Sequence, residues 1–339
     1  MDALLEVRDL RTHFHTHEGV VRAVDGVDLT VAPGRTVCVV GESGCGKSVT
    51  ARSILGLVDR PGRIVGGEIA FRDKAGETID LAALDPRSER MRRIRGGEIS
   101  MIFQEPMASL SPMHTIGAHL VETIRLHMEM DKVAARAHAI EMLRRVGIPR
   151  PEQRIDAYSF QLSGGMCQRA MIAMALACGP SLLIADEPTT ALDVTTQARI
   201  LDLIKDLQAQ TGMSVLFITH DLGVVAEIAD EVVVMYLGTV VERGTVDEIF
   251  HDPKHPYTQA LLRSIPTIGA GTRQRLTPIR GMVPHPSDRP IGCPYHPRCD
   301  HAIVGLCDVE DPPTVETSPG HTARCVLYSD AVLTSGSAS

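Results

Sequence analysis

A short apolar run, Val37-Cys38-Val39-Val40, ends in Gly41-Glu42-Ser43-Gly44-Cys45-Gly46-Lys47-Ser48. No other stretch restricts the fold so tightly. The run is short and flanked by turn residues, so it reads as a buried strand, and the residues from about Lys47 onward read as a helix. Glycines let the backbone turn where side chains would forbid it. A strand feeding a helix through such a turn is the unit of a mainly parallel α/β sheet. Backbone N–H groups of residues 41–48 then point inward and the helix presents its positive end, which together make a cradle for phosphate oxygens. In this pattern Lys47 reaches the β/γ-phosphates and the Ser48 hydroxyl ligates Mg²⁺. A glycine-rich turn with no ligand is the bland alternative, and the flanking strand and helix argue against it.

A second apolar run, Leu182-Leu183-Ile184-Ala185, delivers Asp186 and Glu187 to its tip. An acid there can hold Mg²⁺, and the next can polarise an attacking water. Alone, the two acids would read as a solvated strand end. Beside a phosphate loop they complete a nucleotide-hydrolysing pattern.

Further strands are expected at residues 5–7, 27–31, 98–103 and 215–219, and a hairpin at 232–241 around Gly238. Residues 113–157, 166–178 and 196–210 have helical patterns, and Gly179-Pro180 stops the second of them. From about residue 252, Pro, His, Cys and Gly become frequent and long periodic segments vanish, which suggests an appended subdomain. The small polar residues 334–339 read as a disordered tail.

Leu162-Ser163-Gly164-Gly165-Met166, followed by Gln168-Arg169, opens the helix that precedes the Asp-Glu strand. With the two motifs above it resembles the signature of the ABC ATPases, over roughly residues 5–250. The resemblance implies an ABC cassette: a mainly parallel sheet with helices on both faces, an antiparallel β subdomain and a helical subdomain at about 105–162. The cassette would span 1–251, followed by a Cys-rich extension over 252–330 and a tail from 331.

The resemblance also implies roles. Gly41, Ser43, Gly44, Cys45, Gly46, Lys47, Ser48 and Val49 bind ATP, and Phe14 stacks on adenine. Ser48, Gln104 and Asp186 serve Mg²⁺. Glu187 is the base, Gln104 senses Mg²⁺ and water, and the switch residue His220 contacts the γ-phosphate. Asp193, in Ala191-Leu192-Asp193, belongs to the D-loop. Ser163, Gly164 and Gly165 complete a partner subunit's ATP site, because this chain carries one phosphate loop and one signature.

Residues 102–112 and His255-Pro256-Tyr257-Thr258-Gln259-Ala260-Leu261-Leu262 resemble segments of the dipeptide/oligopeptide/nickel importer ATPases. That implies a second homologous ABC ATPase subunit, two transmembrane permease subunits and an extracytoplasmic substrate-binding protein, with this chain at the cytoplasmic face of the membrane. The cargo would be a peptide, with nickel or another small solute as the alternative. Net charge −8 gives no bulk reason to expect nucleic acid. The two cassettes, coiled-coil inserts or basic patches usual in non-transport relatives are absent. No run approaches the ~18 apolar residues of a membrane span.

Cys293, Cys299, Cys307 and Cys325 cluster late in the chain. Four thiolates can hold a 4Fe–4S cluster or Zn²⁺, and the paired C-x2-C knuckles of zinc sites are missing. Similarity to related importer ATPases implies the iron–sulfur reading, with zinc and free structural thiols as alternatives.

Overall fold

The computed structural model describes residues 3–104, 110–190, 193–264 and 279–329. The chain divides into two compact units. The first is made of Met1–Glu6, Thr30–Thr36 and Ala70–Ile218; the second of Val7–Leu29, Val37–Ile69 and Thr219–Ser339.

The second unit holds most of β1 (Leu5–Thr16), β2 (Gly19–Val31) and β4 (Gly62–Arg72), with β1 between the other two, and the last residues of β4 pair antiparallel with β5 (Thr78–Asp80). Its other sheet starts from β3 (Thr36–Val40), whose five residues are all buried. A strand covered on both faces must be apolar throughout, which explains why Val37-Cys38-Val39-Val40 shows no alternation. β3 pairs parallel with β9 (Glu231–Tyr236), and β9 pairs antiparallel with β10 (Thr239–Thr245). Leu237 and Gly238 turn that hairpin at φ 41° and 79°. Helix α1 (Lys47–Ile54) follows the phosphate loop.

The extension after residue 252 departs from the sequence expectation. It carries a regular helix, Pro256–Arg263, and two strands, β11 (Thr314–Ser318) and β12 (His321–Arg324). β12 pairs antiparallel with β10 and β11 with β12, so the extension adds to the sheet of the second unit. The pattern was hidden because β12 buries only His321 and Ala323, neither of which reads as a hydrophobic strand position. A fully buried Glu242 on β10 accepts hydrogen bonds from His321 Nε2 (2.8 Å) and from the backbone N–H groups of Lys254 (2.7 Å) and His255 (2.8 Å). One carboxylate thus ties β10, β12 and the start of the 256–263 helix together.

The first unit contains the parallel strands β6 (Ile99–Ile102), β7 (Leu182–Asp186) and β8 (Ser214–Ile218) in adjacent order. Its helices, with α2 at Glu89–Gly97, are α3 (Ile116–His127), α4 (Lys132–Arg145), α5 (Pro151–Arg154), α6 (Gly164–Leu176) and α7 (Val194–Thr211). Ile116, Leu120 and Ile124 bury one face of α3, and Ala135, Ala139 and Leu143 one face of α4, each at a spacing of one turn. Thr115, Asp131 and Ser163 cap α3, α4 and α6 with their side chains. Arg169 on α6 donates to the carbonyls of Val146 (3.2 Å) and Gly147 (3.0 Å) at the end of α4. That contact fixes the helix bearing the signature against its neighbour.

In the second unit, α8 (Leu222–Ile228) follows His220, α9 is Val246–His251 and α10 is the helix Pro256–Arg263.

Candidate functional site

The 41–48 loop lies in the second unit. Gly41 has φ 151°, and a Cβ there would come 2.2 Å from the Met235 carbonyl. Gly46 has φ 101°, and its Cβ would come 2.3 Å from the Ala23 carbonyl. Both positions therefore exclude any side chain, by backbone angle and by space. Gly44, at φ 79°, has nothing within 4 Å of its would-be Cβ. Lys47 is buried, and its Nζ donates to the carbonyls of Gly41 (2.8 Å) and Glu42 (3.1 Å). The ammonium is thereby held over the mouth of the turn. Cys45 is also buried, and burial raises its thiol above the ordinary range despite Lys47. Ser48 and Val49 open α1 half-buried. Phe14 is half-buried on β1, and its ring packs where a Cβ on Gly62 would meet it at 2.6 Å. His220 is exposed just after Thr219, and Asp221 caps α8 by accepting from the Gly223 N–H at 2.9 Å.

The strand tip bearing Asp186 and Glu187 lies in the first unit. β7 ends in Asp186, which is buried, and Glu187 follows with φ 47°. A non-glycine residue in the left-handed region is strained, and such strain gathers at functional positions. The strain is maintained by the Glu187 N–H bonding to the Ile218 carbonyl at 2.9 Å and by the Thr190 N–H bonding back to the Glu187 carbonyl at 3.2 Å. Glu187 Oε2 accepts from Gln104 Nε2 (3.0 Å) and Thr190 Oγ1 (3.0 Å). Gln104 and Glu187 are 83 residues apart in the chain, and the fold brings them into direct contact. The carboxylate is thus aimed rather than free to rotate.

Ser163 and Gly164 lie exposed at the start of α6. Ser163 Oγ accepts from the Met166 N–H at 3.3 Å, and a Cβ on Gly164 would touch nothing within 4 Å. Gly165 is tighter, with Thr196 Cγ2 at 3.4 Å from its would-be Cβ. Asp193 caps α7 through the Thr196 N–H (3.0 Å) and hydroxyl (2.8 Å), and those bonds hold its carboxyl below the usual range. Ala191 and Leu192 lie outside the described residues, as do residues 105–109 of the stretch after Gln104.

The four late cysteines line one small cavity together with His255 and Tyr295. Backbone N–H groups reach two of the sulfurs: His301 to Cys299 Sγ at 3.4 Å and Ile303 to Cys307 Sγ at 3.3 Å. Burial pushes the Cys293 thiol up to about 11 and the Cys325 thiol up to about 12. His255 is fully buried, and burial lowers it to about 3, so it is neutral. Its Nδ1 accepts from the Tyr257 N–H at 3.0 Å, which puts the proton on Nε2, and Nε2 has no hydrogen-bond partner among the described residues. Among the described residues, no three His, Cys, Asp or Glu are placed to hold a single metal ion.

Sequence reasoning missed the contacts at Glu42. The loop residue's carboxylate pairs with the buried Arg298, and its N–H donates to Tyr257 Oη at 2.8 Å. Glu42 sits at a variable position of the motif, and Arg298 is 256 residues away, so the only signal was an arginine among the late cysteines.

A family profile described as ABC transporter matches residues 24–190, and one described as oligopeptide/dipeptide transporter, C-terminal region, matches 241–307. The chain is 50% identical to the oligopeptide transport ATP-binding protein AppD of Bacillus subtilis, over 97% of this chain and 98% of that protein. It is 48% identical to the dipeptide transport ATP-binding protein DppD of Escherichia coli, over 95% and 96%. The dimeric post-hydrolysis structure of the ATP-binding cassette MJ0796, bound to ADP and Pi, matches with TM-score 0.63 and 27% identity, covering 71% of this chain and 98% of that one.

Proposed function

The chain belongs to the family of ABC transporter ATP-binding proteins with an oligopeptide/dipeptide transporter C-terminal region, and from that premise we propose that it is the ATP-hydrolysing subunit that powers peptide import. The observation that carries hydrolysis is the strained Glu187, its carboxylate held by Gln104 and Thr190. Peptide as cargo rests on relatives, named for oligopeptide and dipeptide transport, that match nearly the whole chain.

On this reading the N–H groups of residues 41–48 and the Lys47 ammonium bind the ATP phosphates, and Phe14 stacks on adenine. Ser48, Gln104 and Asp186 offer only hard oxygen donors, the set that suits Mg²⁺. Bound Mg²⁺ supplies neutralisation of phosphate charge. Glu187 takes the proton of the attacking water, and His220 donates to the γ-phosphate. Ser163, Gly164 and Gly165 present a hydroxyl and helix-start N–H groups to the nucleotide of a second homologous ABC ATPase subunit, with Asp193 beside that interface. Closing and reopening of that pair would move two transmembrane permease subunits, fed by an extracytoplasmic substrate-binding protein. No described helix is long and apolar enough to cross a membrane. On this reading the permeases supply the path, and this chain sits peripherally on the cytoplasmic face.

The test of cargo is uptake into sealed vesicles by the assembled transporter. Labelled di- or oligopeptide should accumulate only with ATP on this chain's side. Accumulation of a nickel chelate without peptide would favour the nickel reading instead.

We further propose that the four late cysteines hold a 4Fe–4S cluster. The four cysteines line one small cavity, and a 4Fe–4S cluster takes four thiolate ligands. Two sulfurs already accept backbone N–H bonds, and the unpartnered His255 Nε2–H needs an acceptor such as a cluster sulfur. Bound there, the cluster would staple a segment poor in apolar core. Anaerobically purified protein should be brown, with about four irons per chain that are lost on Cys299→Ser. A colourless, iron-free and fully folded protein would contradict the cluster.

A further inference from the structure

The phosphate loop is gripped from the C-terminal extension. Arg298 stands one residue before Cys299, and its side chain is 4% exposed. Its Nη1 donates to Glu42 Oε2 at 2.6 Å and to Tyr236 Oη at 3.2 Å, and its Nη2 donates to Glu42 Oε1 at 3.1 Å. The remaining nitrogen, Nε, donates to the Arg280 carbonyl at 2.9 Å. Two-pronged pairing of this kind fixes both the position and the orientation of the carboxylate. The guanidinium carbon also lies 5.8 Å from the ring centres of Tyr236 and of Tyr295.

These rings form one cluster. Tyr236, Tyr257 and Tyr295 pack with centroids 4.7 to 5.3 Å apart, and His255 lies 5.9 Å from Tyr295. Tyr257 accepts the Glu42 N–H, while Tyr295 and His255 line the four-cysteine cavity. Glu42 is therefore bound through its side chain and its N–H by residues next to that cavity. Its carbonyl, on the other side, accepts from Lys47 Nζ at 3.1 Å. Displacing Glu42 displaces one of the two carbonyls that hold the Lys47 ammonium, the other being that of Gly41.

We propose that Arg298 is a positioning residue for the ATP site: through Glu42 it holds the first turn of the phosphate loop, so the C-terminal cysteine segment sets the loop's affinity for nucleotide. This rests on the placement of the ATP phosphates at residues 41–48. The segment acts as a strap on the loop as well as an addition to the sheet. Because coupling of binding is reciprocal, nucleotide at the loop in turn stabilises the segment.

The test uses the full chain and MgADP, with affinity measured by calorimetry. Arg298→Gln and Glu42→Gln should each weaken MgADP on the order of tenfold, and the double variant should be no weaker than the singles, as expected for partners in one contact. Arg298→Lys keeps the charge but loses the fork, and should recover only part of the loss. In the assembled transporter the KM for ATP should rise more than kcat falls. Wild-type affinity in both single variants would overturn the proposal. So would a double variant whose loss is the product of the single losses, because that is the signature of two unrelated structural effects. Lys47→Ala serves as the control. If it binds MgADP like the wild type, the placement of nucleotide at this loop fails. If it alone loses binding, only the role of Arg298 fails.

Discussion

Glu187→Gln is expected to lower ATP turnover by about 100-fold or more, the range assigned to a positioned general base, while MgATP stays bound. The substitution is nearly isosteric. A glutamine carbonyl can still accept from Gln104 and Thr190, as Glu187 Oε2 does, and the strained backbone at φ 47° is unchanged. What is lost is the ability to take a proton. The measurement pairs steady-state phosphate release with equilibrium binding of labelled ATP. Turnover within about tenfold of the wild type would remove Glu187 from the chemistry, since a catalytic base contributes more than that.

The second large effect is expected at the signature. Gly164→Asp should cut turnover of the assembled transporter by roughly 100-fold or more, because the new carboxylate repels the phosphate and keeps it from the preorganised helix-start N–H groups. The fold gives little reason for damage. Gly164 is exposed at the first position of α6, and a Cβ there meets nothing within 4 Å. An acid in the first turn of a helix is, if anything, stabilising. Melting temperature and MgADP binding of the isolated variant should therefore match the wild type. A loss confined to the complex places the role of Gly164 outside its own chain. Equal loss of MgADP binding in the isolated chain would place it inside.

The sites that could be read from the sequence are those whose partners are close in the chain. Residues 41–48 combine strand, turn and helix start within a few positions, so glycine spacing and the flanking apolar run identify the loop without tertiary information. Gly41 and Gly46 confirm why: each has a backbone carbonyl where a Cβ would stand. Asp186 and Glu187 were legible for the same reason, as the tip of an apolar strand. The left-handed backbone at Glu187 was not, because it depends on the Ile218 carbonyl and Thr190. Tertiary pairing also hid the extension. β12 is short and half-buried, and its inward side chain at His321 is polar, paid for by the buried Glu242. The Arg298–Glu42 pair joins two positions that no local pattern links.

On the reading proposed above, this chain holds half of each ATP site and meets a second subunit across the nucleotide. The most direct measurement is the solution mass of the Glu187→Gln chain mixed with its second ATPase subunit. With MgATP, which this variant is expected to retain unhydrolysed, a two-chain particle should form. With MgADP, or with Gly164→Asp added, the chains should stay separate. A mixture that binds MgATP yet stays as single chains, or that pairs equally with Gly164→Asp, would contradict that reading.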